Sequence, residues 1–399
     1  MSKTCLFTIV APNYLAQAIT LKQSLDKFAS VDFKIILVSD QKFNFHDPDI
    51  NKIIINSKNL NINEYNKLSF SYNILEHCTN IKPACFNYFI DNYDYIYYID
   101  PDIYFYQDPL LMNQFFEDAD VILTPHSLSP VLDGKSPSEL EFLRTGLYNL
   151  GFIGIRKSQS VKIFIDWWRV RCELFGINET YSGLFVDQKW IDLAPIFFKF
   201  IKTITNTGFN CGYWNLHERP ISYLNNNYMA GFDQLFFFHF SGLDRMNFAN
   251  ISRHQSRTIA REGTAIYKLF QDYSKNLISN EVHNPNLKLP YSCFDNNYNI
   301  TELARKYFWK NSCNYEDNTI FNSNSKLFKD LKRLNLITSK NIKTQTFGMH
   351  SDLSAYNNKI YLVEKLLNIS LLILGPYKFF LLRKFIIQRF SITSRFFKW

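Results

Sequence analysis

The stretch Ile96-Tyr97-Tyr98-Ile99-Asp100-Pro101-Asp102-Ile103 decides how this chain is interpreted. Its apolar first half predicts a buried β-strand. Side chains two positions apart on extended backbone point the same way, so the carboxylates of Asp100 and Asp102 converge. Like charges held this close repel unless a cation lies between them, and paired oxygen ligands suit Mg²⁺ or Mn²⁺ beside substrate phosphates. The alternative is an ordinary turn, because Asp-Pro-Asp is common turn chemistry.

Composition indicates a globular protein with one large domain and room for a smaller one. The 399 residues are 46% apolar and 17% aromatic. The seven cysteines form no C-x-x-C pair, and no signal-peptide pattern opens the chain, so we expect a reducing cytosol without a zinc site or disulfide framework. The net charge is +8, of which +7 falls in residues 359–399. The nearly neutral remainder argues against a nucleic-acid partner.

The first half of the chain alternates between predicted strands and predicted helices. We expect strands over residues 6–10, 33–38, 52–55, 95–99, 120–123 and 150–155, and helices over residues 15–28, 83–92 and 158–175. This alternation predicts an α/β fold with helices on both faces of a sheet. Ligands of such sheets bind beyond the carboxyl ends of the strands, where Asp100 and Asp102 lie. A G-x-G-x-x-G loop is missing from the sequence, which disfavours a conventional dinucleotide fold.

The sequence divides into three parts. Residues 1–257 carry the α/β pattern, residues 258–358 predict a helical extension, and residues 359–399 form a basic, apolar tail. Asn368, Gly375-Pro376 and Lys378 interrupt the longest apolar run of the tail, which makes it short for a spanning helix. We therefore expect a basic amphipathic segment on an anionic membrane surface. The protein would then be cytoplasmic and peripheral at the inner face of the cell membrane. The alternative is a helix packed on the core with a solvated basic face.

Several motifs in residues 5–257 together resemble those of bacterial GT-A-type glycosyltransferases related to glycosyltransferase family 8. The resemblance rests on residues 8–14 (Thr-Ile-Val-Ala-Pro-Asn-Tyr), Lys82-Pro83-Ala84, the Asp-x-Asp segment at 98–103, Leu147-Tyr148-Asn149-Leu150-Gly151, Asp187-Gln188 and residues 238–242 (Phe-His-Phe-Ser-Gly). It implies a Rossmann-like core that binds a nucleotide-diphosphate sugar, with a UDP-sugar as the first guess. Each motif is short, and their shared order along the chain carries the resemblance.

The resemblance also implies roles for individual residues. Metal ligands would be Asp100, Asp102 and His239, and catalytic residues would be Asp187 and Gln188. Donor-binding residues would be Ala11, Asn13, Tyr14, Lys82, Asp100, Asn149 and Gly151. Arg253 and Arg257 are further candidates to neutralise the diphosphate, and a solvated surface is their alternative role.

The implied chemistry is sugar transfer with retention at the anomeric carbon. A bound cation would stabilise the charge on the leaving phosphate, and the imidazole ligand favours Mn²⁺ over Mg²⁺. In a front-face mechanism the leaving phosphate takes the acceptor proton, the carbonyl of Gln188 stabilises positive charge, and Asp187 orients sugar hydroxyls. Inversion would instead need a carboxylate base near the acceptor, for which Asp233 and Glu218 are candidates.

The segment Asn210-Cys211-Gly212-Tyr213-Trp214-Asn215-Leu216-His217-Glu218-Arg219 lies outside the family-8 pattern. Aromatic residues beside charged groups often bind sugars, so Trp214, His217 and Glu218 are candidates for the acceptor site, with a buried ion pair as the alternative. The segment is similar to sequences of a bacterial surface-polysaccharide subgroup, so the substrate of family 8 does not carry over to this chain. The basic tail suits a lipid-linked acceptor, and we expect a glycan or lipid-linked acceptor in surface polysaccharide synthesis.

Two rival functions stay open. One is a haloacid-dehalogenase-type phosphohydrolase, in which paired aspartates at a strand end act as nucleophile and acid. The other is a non-catalytic, membrane-docked subunit that only binds nucleotide.

Overall fold

A central sheet of seven strands organises the protein in a computed structural model that describes residues 2–28, 31–41, 48–244, 247–281, 289–339 and 357–390. The strands are β1 Thr4–Val10, β2 Asp32–Leu37, β3 Ile54–Asn56, β4 Tyr95–Ile99, β5 Ile103–Phe105, β6 Val121–Pro125, β7 Tyr148–Arg156, β8 Asn178–Glu179, β9 Leu184–Phe185, β10 Ile201–Thr203, β11 Cys211–Gly212, β12 Ile221–Leu224, β13 Asn227–Ala230, β14 Asp233–Gln234, β15 Phe237–His239, β16 Asn299–Ile300 and β17 Ile337–Thr338. The central order is β10-β6-β7-β4-β1-β2-β3. Neighbouring strands are parallel except where β7 pairs with β4 and β6.

The α-helices are α1 Leu15–Leu25, α2 Pro48–Ile53, α3 Tyr65–Ser71, α4 Ile74–Asn80, α5 Lys82–Phe89, α6 Glu139–Thr145, α7 Gln159–Phe175, α8 Gln188–Ile191, α9 Ala194–Phe197, α10 Ala265–Ser279, α11 Glu302–Asn311, α12 Lys326–Arg333 and α13 Asn357–Phe390. The strands and helices expected in the first half are present, with ends that differ by a few residues. The exception is the strand expected over residues 52–55. Pro48 can open a helix there because its ring presets the first helical φ, so α2 takes the first two of these residues and β3 begins at Ile54.

The central sheet is covered on both faces, as the α/β prediction requires. Along β1 the buried side chains alternate, so that Phe7 packs with α5 and α7 residues such as Phe86 and Trp168. Leu6 instead packs with Leu21 of α1 and other residues of the opposite face. Period-two alternation sends successive side chains to opposite faces, and both faces of this strand are apolar. The predicted α/β fold class is therefore confirmed.

The described region after residue 257 is tied to the core at several places. Helix α10 shares an apolar cluster with Phe238 of β15. Farther along, the guanidinium of Arg305 in α11 is buried and donates hydrogen bonds to the carbonyl oxygens of Ser69, Phe70, Tyr72 and Tyr291, at 2.7 to 3.3 Å. Because these carbonyls belong to the core and to the extension, the two parts are held together. The predicted boundary at residue 257 does not coincide with the edge of a hydrophobic core.

Helix α13 differs from the amphipathic segment that we expected. Exposed apolar side chains occupy the successive positions 371, 372 and 373, which point about 100° apart on a helix. Lys365–Phe385 is long and apolar enough to cross a membrane by length and composition, and none of it is buried against the protein. Gly375, with φ 71°, and Pro376 break the helix in its middle. The aromatic and basic cluster at residues 395–399 lies outside the described residues.

Candidate active site

The site lies at one edge of the sheet, where several chain segments meet. Strands β1 and β4 are parallel, so their carboxyl ends share that edge. Strand β7 runs the other way, and its first half returns to the same place: the Asp100 amide donates to the Gly151 carbonyl at 2.8 Å. Strand β15 pairs with β5 so that His239 lies opposite Ile103, the residue after Asp102. The fold thus brings together residues separated by well over a hundred positions.

Asp100, Asp102 and His239 form a compact cluster of potential metal ligands. One ligand atom from each lies within 4.8 Å of the other two. The Nε2 atom of His239 is 3.0 Å from Asp102 Oδ1 and 3.5 Å from Asp100 Oδ2. Burial would lower the pKa of His239, but the Asp102 and Asp100 carboxylates outweigh it and raise that pKa above its ordinary value. The two carboxylates are partly exposed while the imidazole is buried, so the cluster opens on one side only.

These residues fit a divalent cation. Two carboxylates and one imidazole are a donor set suited to Mn²⁺ and compatible with Mg²⁺. Gly151 packs against the imidazole so closely that a Cβ there would come 2.3 Å from His239 Cε1. The backbone of β7 therefore fixes the position of the ring. Tyr98 reinforces the cluster, because its hydroxyl donates to Asp100 Oδ1 from the buried side.

Lys82 and Asp187 form a buried ion pair beside the cluster. Their charged atoms are 2.9 Å apart, and both side chains are almost completely buried. The Lys82 ammonium also donates to the Leu150 carbonyl at 2.9 Å and lies 4.2 Å from the centre of the Tyr98 ring. Burial raises the pKa of Asp187, and the Lys82 charge opposes that rise. The predicted donor-binding and catalytic roles of this pair stay predictions. In the structure the Lys82 ammonium and the Asp187 carboxylate neutralise each other beside the metal-ligand cluster.

Gln188 lies close to Asp187 but uses its side chain on backbone groups. Its carboxamide oxygen accepts from the Leu150 amide at 2.9 Å, and its nitrogen donates to the Thr145 carbonyl at 2.9 Å. The preceding Val186 has φ 43°, which is unfavourable for a β-branched residue. Backbone strain of this kind costs about 1–3 kcal/mol and is concentrated at functional sites. The catalytic role predicted for Gln188 remains a prediction.

A further buried residue, Asn210, belongs to the site and was not expected there from the sequence. Asn210 contacts His239, with 3.3 Å between its Oδ1 atom and the imidazole Nδ1. It also donates to Thr124 Oγ1 at 2.8 Å and to Asn149 Oδ1 at 3.1 Å. Asn149, which we expected to contact the donor sugar, thus lies inside a hydrogen-bond network that also includes Gly151. Only the unusual composition of residues 210–219 gave a sequence signal for this network.

The remaining candidate donor residues follow β1. Ala11 is buried and precedes a short 3-10 helix, Pro12–Tyr14, whereas Asn13 and Tyr14 are exposed. Their position at the carboxyl end of β1 places them on the same edge of the sheet as Asp100. The predicted nucleotide contacts of these three residues have the required location and remain predictions.

The candidate acceptor residues serve structural contacts in the described chain. Trp214 is 3% exposed, and its ring lies edge-on to His239 with centroids 5.0 Å apart. The Glu218 carboxylate accepts from the Leu128 amide, Ser129 Oγ and Arg219 Nε. His217 contacts Ser127 Oγ at 3.2 Å. His217 and Glu218 therefore hold residues 127–129, and Trp214 packs against the ring of His239.

The other charged candidates, Arg253, Arg257 and Asp233, also contact groups within the protein. Arg257 forms a 2.7 Å ion pair with Asp133, and its predicted contact with the diphosphate stays a prediction. Arg253 is exposed and lies 3.4 Å from His254. Asp233 accepts from the amide and hydroxyl of Thr207, both at 2.7 Å, and so caps a loop.

Comparison with known proteins gives distant relatives. No protein family model matches the chain. It is 25% identical to the uncharacterized protein YfnF of Bacillus subtilis (strain 168) over 287 residues, which cover 68% of this chain and 91% of YfnF. It is 27% identical over 172 residues to the uncharacterized protein YfnD of the same organism, a match that spans 42% of this chain and about half, 53%, of YfnD.

Solved structures with a similar arrangement include glycosyltransferases. The galactosyltransferase LgtC, in complex with donor and acceptor sugar analogs, aligns with a TM-score of 0.42 at 13% identity, over 70% of this chain and 98% of LgtC. The bifunctional glycosyltransferase WbbM aligns with a TM-score of 0.39 at 12% identity, over 70% of this chain and 52% of WbbM. The glycosyltransferase GlyE of Streptococcus pneumoniae TIGR4 aligns with a TM-score of 0.39 at 15% identity, over 70% of this chain and 63% of GlyE.

Proposed function

We propose that this protein is a metal-dependent glycosyltransferase of the GT-A type. It would transfer a sugar, with retention, from a nucleotide-diphosphate donor to a glycan or lipid-linked acceptor during surface polysaccharide synthesis. The observation that carries the proposal is the convergence of Asp100, Asp102 and His239 at the carboxyl ends of β1 and β4. That edge is where open α/β sheets bind their ligands, and a cation held there can accompany a diphosphate.

The following roles of the site residues belong to this proposal. Asp100, Asp102 and His239 would hold Mn²⁺ or Mg²⁺, which when bound stabilises negative charge on a leaving phosphate. Ala11, Asn13 and Tyr14 would line the nucleotide side of the site. The Lys82–Asp187 pair and Gln188 would lie on the sugar side of the site. Lys82 and Gln188 hold the backbone of β7 at Leu150, and Asp187 pairs with Lys82. Rigid support of this kind keeps ligands oriented before the reaction.

The first experiment is calorimetric titration with UDP and with GDP, each with and without Mn²⁺. We expect one nucleotide to bind in a Mn²⁺-dependent manner, because Asp100, Asp102 and His239 would hold a cation that attracts the negatively charged diphosphate. Asp102→Ala should abolish the metal-dependent part of binding. The matched control is Asp118→Ala, because Asp118 is an exposed acidic residue away from the cluster. If UDP, GDP, ADP, CDP and dTDP all fail to bind with Mn²⁺ present, the proposal is wrong.

We further propose that α13 attaches the protein to the inner face of the cell membrane. The support is its exposed apolar surface together with Lys365, Lys378, Arg383 and Lys384, which favour anionic lipid. Flotation of the full chain with vesicles of phosphatidylglycerol and phosphatidylcholine tests this. Binding should weaken in the variant Leu372→Asp/Ile373→Asp, and the control Lys329→Asp on α12 should bind normally. Binding that 1 M salt removes completely would show that apolar insertion contributes nothing.

A further inference from the structure

The carboxylates that His239 faces attract a proton to its Nε2 atom, so they do not favour the tautomer that binds a cation. Its Nε2 atom lies 3.0 Å from Asp102 Oδ1 and 3.5 Å from Asp100 Oδ2. If this imidazole is to coordinate a cation, Nε2 must offer a lone pair and the ring proton must stay on Nδ1. Some group on the far side of the ring therefore has to accept a hydrogen bond from Nδ1.

Asn210 has the geometry to do this, and the orientation of its carboxamide follows from its neighbours. The amide of Gly151 donates to Asn149 Oδ1 at 3.0 Å, so that oxygen is an acceptor. Asn210 Nδ2 donates to this same oxygen at 3.1 Å and to Thr124 Oγ1 at 2.8 Å. The Oδ1 atom of Asn210 is thereby turned to His239 Nδ1, 3.3 Å away. Because a carboxamide oxygen cannot donate, the proton of this hydrogen bond belongs to Nδ1.

The chain around Asn210 is built to hold it in place. Asn210 has φ 48°, a left-handed conformation that asparagine tolerates better than most residues. The side chain of Asn215 donates to the Asn210 carbonyl at 3.1 Å and accepts from the Gly212 amide at 2.9 Å. Gly212 pairs with His239 in the sheet, and a Cβ at Gly212 would come 2.6 Å from the Trp214 ring. Residues 210–219, which lie outside the family resemblance, thus pack against the side of His239 that faces away from Asp100 and Asp102.

We propose that Asn210 is a positioning residue that fixes the His239 tautomer competent to bind a divalent cation. This inference rests on the proposed metal-dependent function and adds a role for residues 210–219 to it. Partners on the outer side of a metal-binding histidine orient the ring and set its protonated nitrogen, and their loss typically lowers metal affinity about 10- to 100-fold. Asn210 would act in that way through its single carboxamide oxygen.

The test is Mn²⁺ binding, followed by electron paramagnetic resonance of the free ion during titration of the full chain. Asn210→Leu removes the acceptor at similar volume and should weaken Mn²⁺ binding about 10- to 100-fold. Asn210→Asp keeps an acceptor facing Nδ1 but loses the donor to Asn149 Oδ1, so it should weaken Mn²⁺ binding less than Asn210→Leu does. The matched control is Asn80→Leu, because Asn80 is equally buried but donates to the Gly176 carbonyl. Its Mn²⁺ affinity should not change.

A second measurement needs no variant. Long-range ¹⁵N spectra of histidine-labelled wild-type protein loaded with Mg²⁺ should show the His239 proton on Nδ1. A proton on Nε2, or an Asn210→Leu variant that is folded and binds Mn²⁺ as tightly as the wild type, overturns this inference alone. A wild-type protein that binds no Mn²⁺ overturns the proposed function and this inference with it.

Discussion

The buried Lys82–Asp187 pair gives a quantitative test of the site's architecture. Lys82→Met would leave the Asp187 carboxylate uncompensated in the core and would also remove the bond to the Leu150 carbonyl. Breaking a buried ion pair from one side costs about 3–5 kcal/mol. We therefore expect the free energy of unfolding of the variant to fall by about that amount. In Asp187→Asn the Lys82 ammonium still donates to the Leu150 carbonyl and still contacts the Tyr98 ring. The loss in free energy of unfolding should therefore be about 3 kcal/mol, the lower end of that range.

The double variant isolates the interaction energy between Lys82 and Asp187 from the effects of their other contacts. Lys82→Met/Asp187→Asn has no buried charge at this position, so its destabilisation should be smaller than the sum of the two single losses by about 2–3 kcal/mol. Urea unfolding followed by tryptophan fluorescence suits the measurement, because Trp168 Nε1 donates to the Asp187 carbonyl at 3.1 Å. The control is Lys52→Met, which breaks the exposed pair of Lys52 and Asp49 and should leave the free energy of unfolding close to that of the wild type.

The expected dependence on pH follows from the same pair. Burial raises the pKa of Asp187, and removing Lys82 takes away the charge that opposes this rise. The Asp187 carboxyl of Lys82→Met should then take up a proton more readily, so the variant should be less destabilised at low pH than at high pH.

The double variant also tests whether the charges of Lys82 and Asp187 lie together. If the stability losses of Lys82→Met and Asp187→Asn simply add in the double variant, with a coupling below about 0.5 kcal/mol, the two charges do not lie together in the core.

Three further predictions concern other parts of the molecule. Burial lowers the pKa of His77 to about 3, whereas the unfolded chain binds this proton below a pKa of about 6.5. The contribution of His77 to the stability of the wild type should therefore fall by about 1–2 kcal/mol between pH 6.5 and pH 5, and urea titrations should show a shallower fall in stability for His77→Phe. Arg305→Met should lower the free energy of unfolding by at least about 3 kcal/mol in urea titrations, because four backbone carbonyls lose a charged donor, and Arg305→Lys should recover only part of it. Gly151→Ala should displace His239 and weaken Mn²⁺ binding in calorimetry at least about 10-fold, whereas Gly183→Ala, which meets no neighbour, should leave the affinity unchanged.

The sequence alone determined the α/β class and most of the central strands. Local patterns suffice for this, because an apolar run such as residues 96–99 is buried whichever strands flank it. It also predicted that Asp100 and Asp102 lie close together. The structure brings them together through a turn, in which the Ile103 amide donates to the Asp100 carbonyl at 3.1 Å, rather than on extended backbone. His239 came from the resemblance of its motif, and spacing could not have paired it with two aspartates more than a hundred residues away.

Only the tertiary structure decided how these residues are supported. The role of Asn210 depends on which atoms of Asn149 and His239 face it, and three-dimensional packing of β7, β11 and β15 sets that arrangement. The same holds for Lys82. The resemblance implies a contact with the donor, which stays a prediction, and only the structure shows that the Lys82 ammonium is buried against Asp187. Spacing along the chain specifies which side chains leave one strand on the same face. The choice of partner across strands is made by long-range packing, which no local pattern encodes.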